Sequence, residues 1–146
     1  MTIQARADLN NEPFVLDGTA EFIGGISLTA SQGDLVRGAV LGEVTITPGV
    51  YTLCAAASTD GSQFPKVILE DLEVDDSGSV TTDLNGYTKG LFDENQLTFG
   101  ATTDLDSRIV TSTDDALDIT MRDALRQMGI RLAPGISTSG YENPVL

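Results

Sequence analysis

Residues 35–54 read LVRGAVLGEVTITPGVYTLC and carry the clearest signal of the fold. Apolar and β-branched side chains stand there in short runs separated by turn residues, which is typical of strands. Residues 35–42 predict one strand, and residues 43–47 alternate so that their apolar side chains share one face. Pro48 and Gly49 then predict a turn into a further strand over residues 50–54.

The same pattern continues on both sides of this stretch. Residues 21–30 predict a strand interrupted by a bulge or bend at Gly24–Gly25, and the apolar run within residues 66–72 predicts a buried strand. Asn85–Gly86 is a strong two-residue hairpin signal, placed between predicted strands at 80–84 and 87–91. Many short strands at this spacing favour a small β-barrel or sandwich.

One amphipathic helix is predicted near the C-terminus. Steps of four, four and three residues give one apolar stripe, formed by Leu117, Met121, Leu125 and Met128. Ser112 or Thr113 can cap its start, and Asp114 and Asp115 suit the positive end of the helix dipole. Gly129 predicts its end. The expected fold class is mostly β with one C-terminal helix, a β-rich α+β chain.

The length of 146 residues is suited to a single domain. Residues 1–13 are polar and predict a flexible arm, while residues 14–132 predict the compact domain. Residues 133–146 contain Pro-Gly and Asn-Pro pairs and predict an extended tail.

The charge balance excludes two classes of partner. The formal net charge is -14, from 22 acidic and 8 basic residues, and the basic residues form no cluster. Since nucleic-acid backbones and anionic membranes are bound by clustered Lys and Arg, we expect neither partner. The acidic excess serves solubility or complements a basic partner. The first residues lack the apolar core of a signal peptide, which predicts synthesis in the cytoplasm.

Little in the sequence points to catalysis. The chain has no histidine, the commonest general base and metal ligand, and Cys54 is its one cysteine. Cys54 lies in an apolar run and is expected to be a small buried side chain. Three carboxylate pairs remain, but those in turns are expected to be solvated and the last is expected to cap a helix start: Asp75–Asp76, Asp93–Glu94 and Asp114–Asp115. Residues 104–107 resemble a calcium-loop fragment without its glycine and terminal glutamate. We therefore expect no catalytic residue, no metal and no cofactor.

Several segments together resemble one known family. In chain order they are residues 28–42 with Arg-Gly-Ala-Val-Leu-Gly, 55–62 ending in Asp-Gly-Ser, 67–72, 93–100, and 124–132 with Leu-Arg-Gln-Met-Gly-Ile. Their order and spacing are similar to the head decoration proteins of tailed bacteriophages, over roughly residues 14–132. The segment after Leu132 departs from the family pattern.

The resemblance implies a function without catalysis. A member of this family binds the outside of the expanded phage head as a homotrimer at local three-fold positions, and it stabilises the shell against DNA pressure. The partners implied are the major capsid protein and further copies of the chain. The location implied is the virion surface, with the host cytoplasm before assembly.

The arm is expected to make the capsid contact. Its polar sequence with a short apolar end suits addition as a strand to a capsid sheet edge. The residues expected to bind the capsid are Ile3, Pro13, Phe14, Val15 and Leu16. The alternative function is a phage surface adhesin or receptor-binding module, although the chain is short and poor in Tyr and Trp, which usually anchor such sites.

Overall fold

The computed structural model describes residues 14–29, 33–71, 73–74, 81–110 and 116–134. The predicted fold class is confirmed: these residues are mostly β-strand, with one α-helix near the end of the chain. The elements in chain order are β1 (Glu21–Leu28), β2 (Leu35–Val36), β3 (Val40–Glu43), β4 (Val50–Leu53), β5 (Pro65–Leu69), β6 (Glu73–Val74), β7 (Thr81–Asp93), β8 (Arg108–Val110), β9 (Ala116–Thr120), α1 (Met121–Met128) and β10 (Ile130–Ala133).

Five strands close into a small barrel in the order β1-β4-β3-β5-β7, because β7 also pairs with β1. The β1–β4 contact is parallel, and the other four contacts are antiparallel. Strand β10 pairs in parallel with the last residues of β7 and lies outside the ring. Two small two-stranded sheets, β2 with β6 and β8 with β9, complete the described part of the fold.

Alternation along the strands divides the core into two clusters. Val67 and Leu69 of β5 belong to a cluster supplied by all five barrel strands, which fills the barrel. Ile68 between them points the opposite way, because successive side chains of a strand face opposite sides. It packs outside the barrel in a second cluster with Met121 and Leu125 of α1. The helix therefore covers one outer face of the barrel.

The predicted hairpin at Asn85–Gly86 is wrong. Strand β7 runs without a break through both residues for 13 residues in all. Gly86 pairs with Ile23 on one side and with Leu69 on the other. A Cβ atom added there would lie 3.2 Å from the Val67 Cβ, so the glycine permits close approach between strands.

The strands predicted over residues 35–47 are corrected as well. The chain breaks at Gly38, whose φ of 101° is a left-handed conformation that favours glycine, so β2 and β3 are separate strands. Strand β3 ends at Glu43, where turns begin, and the alternating Val44–Thr47 stretch forms no strand. Ile46 is 87% exposed and belongs to neither core cluster.

The helix is shorter than its apolar stripe predicts. Residues 116–120 form β9, so Leu117 lies in a strand and α1 begins at Met121. Thr120 caps the helix: its side chain accepts a hydrogen bond from the Asp123 amide, and the Asp123 carboxylate accepts one from the Thr120 amide. The predicted stop at Gly129 is confirmed by its left-handed φ of 96°. The predicted cap at Ser112 or Thr113 is therefore wrong, since α1 begins nine or eight residues later and Thr120 caps it; residues 112–115 themselves lie outside the described residues.

Candidate functional site

Asp93, the last residue of β7, lies between the two ends of the described chain. Its backbone amide donates a hydrogen bond to the carbonyl oxygen of Phe14 at 2.9 Å. On the other edge of β7, Ala133 is the register partner of Asp93. Just beyond, the Asn95 side-chain amide donates to the carbonyl oxygen of Pro134 at 2.7 Å. Residues 1–13 and 135–146 are thus both attached at the same end of β7.

The Asp93 carboxylate holds the turn that follows β7. Asp93 is buried, and its two carboxylate oxygens accept from the Asn95 amide at 3.0 Å and from the Gln96 side-chain amide at 2.8 Å. These bonds hold the single 3₁₀ turn Glu94–Gln96 that follows β7. The expectation of a solvated carboxylate is wrong for Asp93, because its carboxylate is buried and holds the turn by hydrogen bonds.

The neighbouring Glu94 is paired with a cation. It accepts a hydrogen bond from the guanidinium of Arg122 in α1, and this bond raises the pKa of Arg122. The Asp106 carboxylate lies 3.9 Å from the same guanidinium. Asp93 thus holds a turn, and Glu94 forms an ion pair with Arg122. The Asp75–Asp76 and Asp114–Asp115 pairs lie outside the described residues.

A groove of about 520 Å³ opens beside the 3₁₀ turn. Its walls include the apolar Leu97 and Phe99 together with Asn95, which also holds Pro134. Asp104 stands at its rim and accepts hydrogen bonds from the Asp106 amide at 2.9 Å and the Ser107 hydroxyl at 3.1 Å. In the part of the chain described here, no group of three acidic, Cys or His side chains is arranged to hold a metal ion.

The residues predicted to bind a capsid fall into two groups. Ile3 and Pro13 lie outside the described residues. Phe14 is buried, with its ring centroid 5.1 Å from that of Phe92 and 6.0 Å from that of Tyr87. The Phe14 side chain is thus part of the protein's own core, and it attaches residues 1–13 to the barrel.

Val15 and Leu16 are half-buried beside Phe14. Val15 forms an antiparallel bridge with Phe92, and the Leu16 amide donates to the Leu91 carbonyl oxygen at 2.8 Å. The backbone of Val15 and Leu16 therefore pairs antiparallel with the last residues of β7, beyond the part of β7 that pairs with β1. Contact of any of the five residues with a capsid stays a prediction.

Cys54 is a buried apolar side chain, as predicted. It is fully buried, and its thiol donates a weak hydrogen bond to the Gln63 carbonyl oxygen at 3.4 Å. Burial raises the pKa of Cys54 to about 12. The thiol is therefore protonated at neutral pH, and the thiolate that nucleophilic chemistry needs is scarce.

One surface was missed by the sequence analysis. Phe22 and Ile23 read as apolar residues of a predicted strand, yet they are 62% and 40% exposed. The bulge or bend predicted at the adjoining Gly24–Gly25 pair is confirmed, because the register with β7 shifts between Ile23 and Ile26. That prediction does not by itself indicate that the Phe22 and Ile23 side chains are exposed.

Comparison of the chain with protein-family models and with curated proteins finds no match. Within the described residues, no helix combines the length and the apolar character needed to cross a membrane.

Proposed function

We propose that this protein is a non-enzymatic head decoration protein, which binds the outer surface of an expanded bacteriophage capsid and stabilises the shell. The observation that carries the proposal is the attachment of residues 1–13 and 135–146 on either side of Asp93. Two segments that leave a rigid barrel at one end can engage one partner surface together. The segment-wise order of the family resemblance supports the same function.

The arm is the part we propose for the main capsid contact. Extended segments bind sheet edges through backbone hydrogen bonds, which demand little of the side-chain sequence. Ordering such a segment costs conformational entropy. Association as a homotrimer at the local three-fold positions offsets that cost, because three arms held together dissociate far more slowly than one.

The lack of an enzymatic role in this proposal rests on particular residues. The chain has no histidine, and the Cys54 thiol is buried and protonated. Asp93 and Glu94, one of the carboxylate pairs in the sequence, hold a turn and an ion pair. Together these features favour a protein that acts by binding.

Binding to heads tests the proposal directly. The full chain, a variant lacking residues 1–13 and a variant lacking residues 135–146 are mixed with expanded and unexpanded heads and then sedimented. We expect the full chain to pellet with expanded heads in preference to unexpanded ones, and removal of residues 1–13 to abolish this binding. Phe14 is the first buried residue of the described core, so an unchanged thermal midpoint of the shortened chain is the folding control.

Two outcomes contradict the proposal. One is equal or absent binding of the full chain to the two kinds of head. The other is full binding by the variant that lacks residues 1–13, which would show that the arm does not make the capsid contact.

A further inference from the structure

The first half of β1 is an exposed apolar ribbon. All five residues from Glu21 to Gly25 are exposed, although the first three of them pair with β7. Four large apolar side chains are exposed in the described part of the chain, and only Phe22 and Ile23 among them are adjacent. The two others, Val36 and Ile46, stand apart in β2 and in the turn after β3. We call Phe22 and Ile23, with the bordering Glu21 and Lys89, the β1 patch.

The packing of the β1 patch explains why it is exposed on both sides. The Phe22 ring lies on the outer side of Tyr87 with the ring centroids 4.9 Å apart, and more than half of it still faces solvent. Ile23 stands opposite Gly86, which has no side chain to cover it. Neither apolar group can therefore be buried further by its own barrel.

The outer edge of this ribbon is open as well. Strand β4 is the other neighbour of β1, and its register reaches only Ser27 and Leu28. Over residues 21–25 the described part of the chain offers no second strand. Proteins usually protect such an edge with charges, and here the two central residues carry none. An open edge with apolar side chains is suited to contact with another chain.

The charges around the patch indicate what that other chain is. The Lys89 ammonium lies 3.4 Å from the Glu21 carboxylate, and both side chains are well exposed. The border of the patch at Glu21 and Lys89 therefore pairs one acid with one base on a chain whose formal net charge is -14.

A second copy of the chain is the partner that fits this balance. Two copies that meet through strongly acidic surfaces repel each other, whereas two balanced surfaces do not. Since each patch carries one acid and one base at its border, equivalent patches can exchange these partners: Lys89 of one copy faces Glu21 of the next.

We propose that the β1 patch is the surface through which copies of this chain associate. The inference rests on the self-association part of the proposed function, and it names the residues responsible. Burial of Phe22 and Ile23 supplies the favourable free energy, because apolar area leaves water. The Glu21 and Lys89 pairs orient the copies.

Mass in solution tests the inference. Light scattering of the full chain, over concentrations from about 1 µM to about 1 mM, is expected to give a multiple of 15.4 kDa. The double change Phe22→Ser with Ile23→Ser is expected to return the mass to 15.4 kDa. The control is Ile46→Ser, which removes a more exposed apolar side chain remote from the patch and is expected to leave the mass unchanged.

A charge reversal covers the case in which the double change unfolds the barrel. Lys89→Glu places two acids side by side at the patch and is expected to weaken self-association about fivefold or more. Lys66→Glu is the matched control, because it changes the net charge equally at an exposed site in β5. The exchange Glu21→Lys with Lys89→Glu is expected to restore association.

Three results overturn the inference: a 15.4 kDa mass for the full chain at every concentration, an unchanged mass after the Phe22 and Ile23 changes, or equal weakening by Lys89→Glu and Lys66→Glu. Sedimentation with expanded heads separates this failure from that of the proposed function. If the chain pellets with expanded heads but has the monomer mass in solution, the proposed function stands and the proposal for the β1 patch fails.

Discussion

The Asp93 amide donates a hydrogen bond to the Phe14 carbonyl oxygen at 2.9 Å, and this bond ties the first described residue to the last residue of β7. The Phe14 ring meanwhile fills a space beside Phe92 and Tyr87. The junction between residues 1–13 and the barrel is thus held by the backbone and by the core together. A partner that binds the arm is connected directly to the strand that touches β1, β5 and β10.

Replacement of Phe14 should destabilise the whole barrel. We expect Phe14→Ala to lower the free energy of unfolding by about 3–5 kcal/mol, the usual cost of emptying a buried phenylalanine site. Phe22→Ala is the control. Its cost should be about 1 kcal/mol or less, because the native ring is mostly exposed and its aromatic contact is with Tyr87. Denaturant unfolding measures both, and equal losses would show that Phe14 is not part of the core.

The glycine at position 42 should be intolerant of a side chain. A Cβ atom there would collide with the backbone of Ser62, which cannot move aside as a flexible side chain does. We expect Gly42→Ala to cost about 1–3 kcal/mol or more. Gly18→Ala, where nothing lies within 4 Å of the added atom, should stay within about 0.5 kcal/mol of the native value. An unchanged free energy of unfolding for Gly42→Ala, measured with denaturant, would contradict the close approach of Gly42 to the Ser62 backbone.

Alkaline pH should destabilise the protein partly through Cys54. The folded pKa is about 12 against 9.0 for the free thiol, so the unfolded chain loses this proton first. The stability contributed by the neutral thiol is therefore complete below pH 9.0 and is lost as the pH rises toward about 12. Burial also raises the pKa of Tyr51 and Tyr87, which adds to the slope in the same direction.

The Cys54→Ala variant isolates the thiol from the tyrosines. Its stability measured against pH should fall less steeply above pH 9.0 than that of the native chain. Alkylation of Cys54 should be slow in the folded protein and fast in denaturant. Rapid labelling without denaturant, or identical alkaline slopes, would argue that the thiol is accessible.

The side chain of Thr120 should stabilise the start of α1, although Thr120 is the last residue of β9. Its hydroxyl accepts from the Asp123 amide, so we expect Thr120→Ala to cost about 1 kcal/mol. Hydrogen bonds from Thr120 also hold the pKa of Asp123 below 3.8, and loss of the hydroxyl should raise that pKa toward its usual value. Carboxyl NMR titration follows this change, with the exposed Thr59→Ala as control. An unmoved Asp123 titration would count against the cap.

The parts of the fold that the sequence predicts correctly are those decided by local burial. The apolar run at Val67, Ile68 and Leu69 is a core strand, and Cys54 is buried as its apolar neighbours indicate. Gly129 ends the helix because a left-handed residue is required there. In each case the local structure is determined by the residues at that position: by apolar side chains in the first two, and by the lack of a side chain at Gly129.

The errors arise where distant pairing outweighs local preference. Asn85–Gly86 is a turn signal by itself, but β1 and β5 bind both edges of β7 there and keep it extended. The stripe beginning at Leu117 favours helix, yet residues 116–120 pair with β8 instead. Phe22 is exposed in the part of β1 that β4 does not reach, since β4 pairs only with Ser27 and Leu28. No local sequence pattern shows how far a neighbouring strand extends.

The antiparallel pairing of residues 14–16 with β7 also determines how the barrel carries mechanical load. A pull on residue 13 directed along β7 acts parallel to the strands, so the bonds from Asp93 to Phe14 and from Leu16 to Leu91 resist it at the same time. The buried Phe14 ring must leave its site before either strand can slide. A pull across the strands would instead break these bonds one after another, at a lower force.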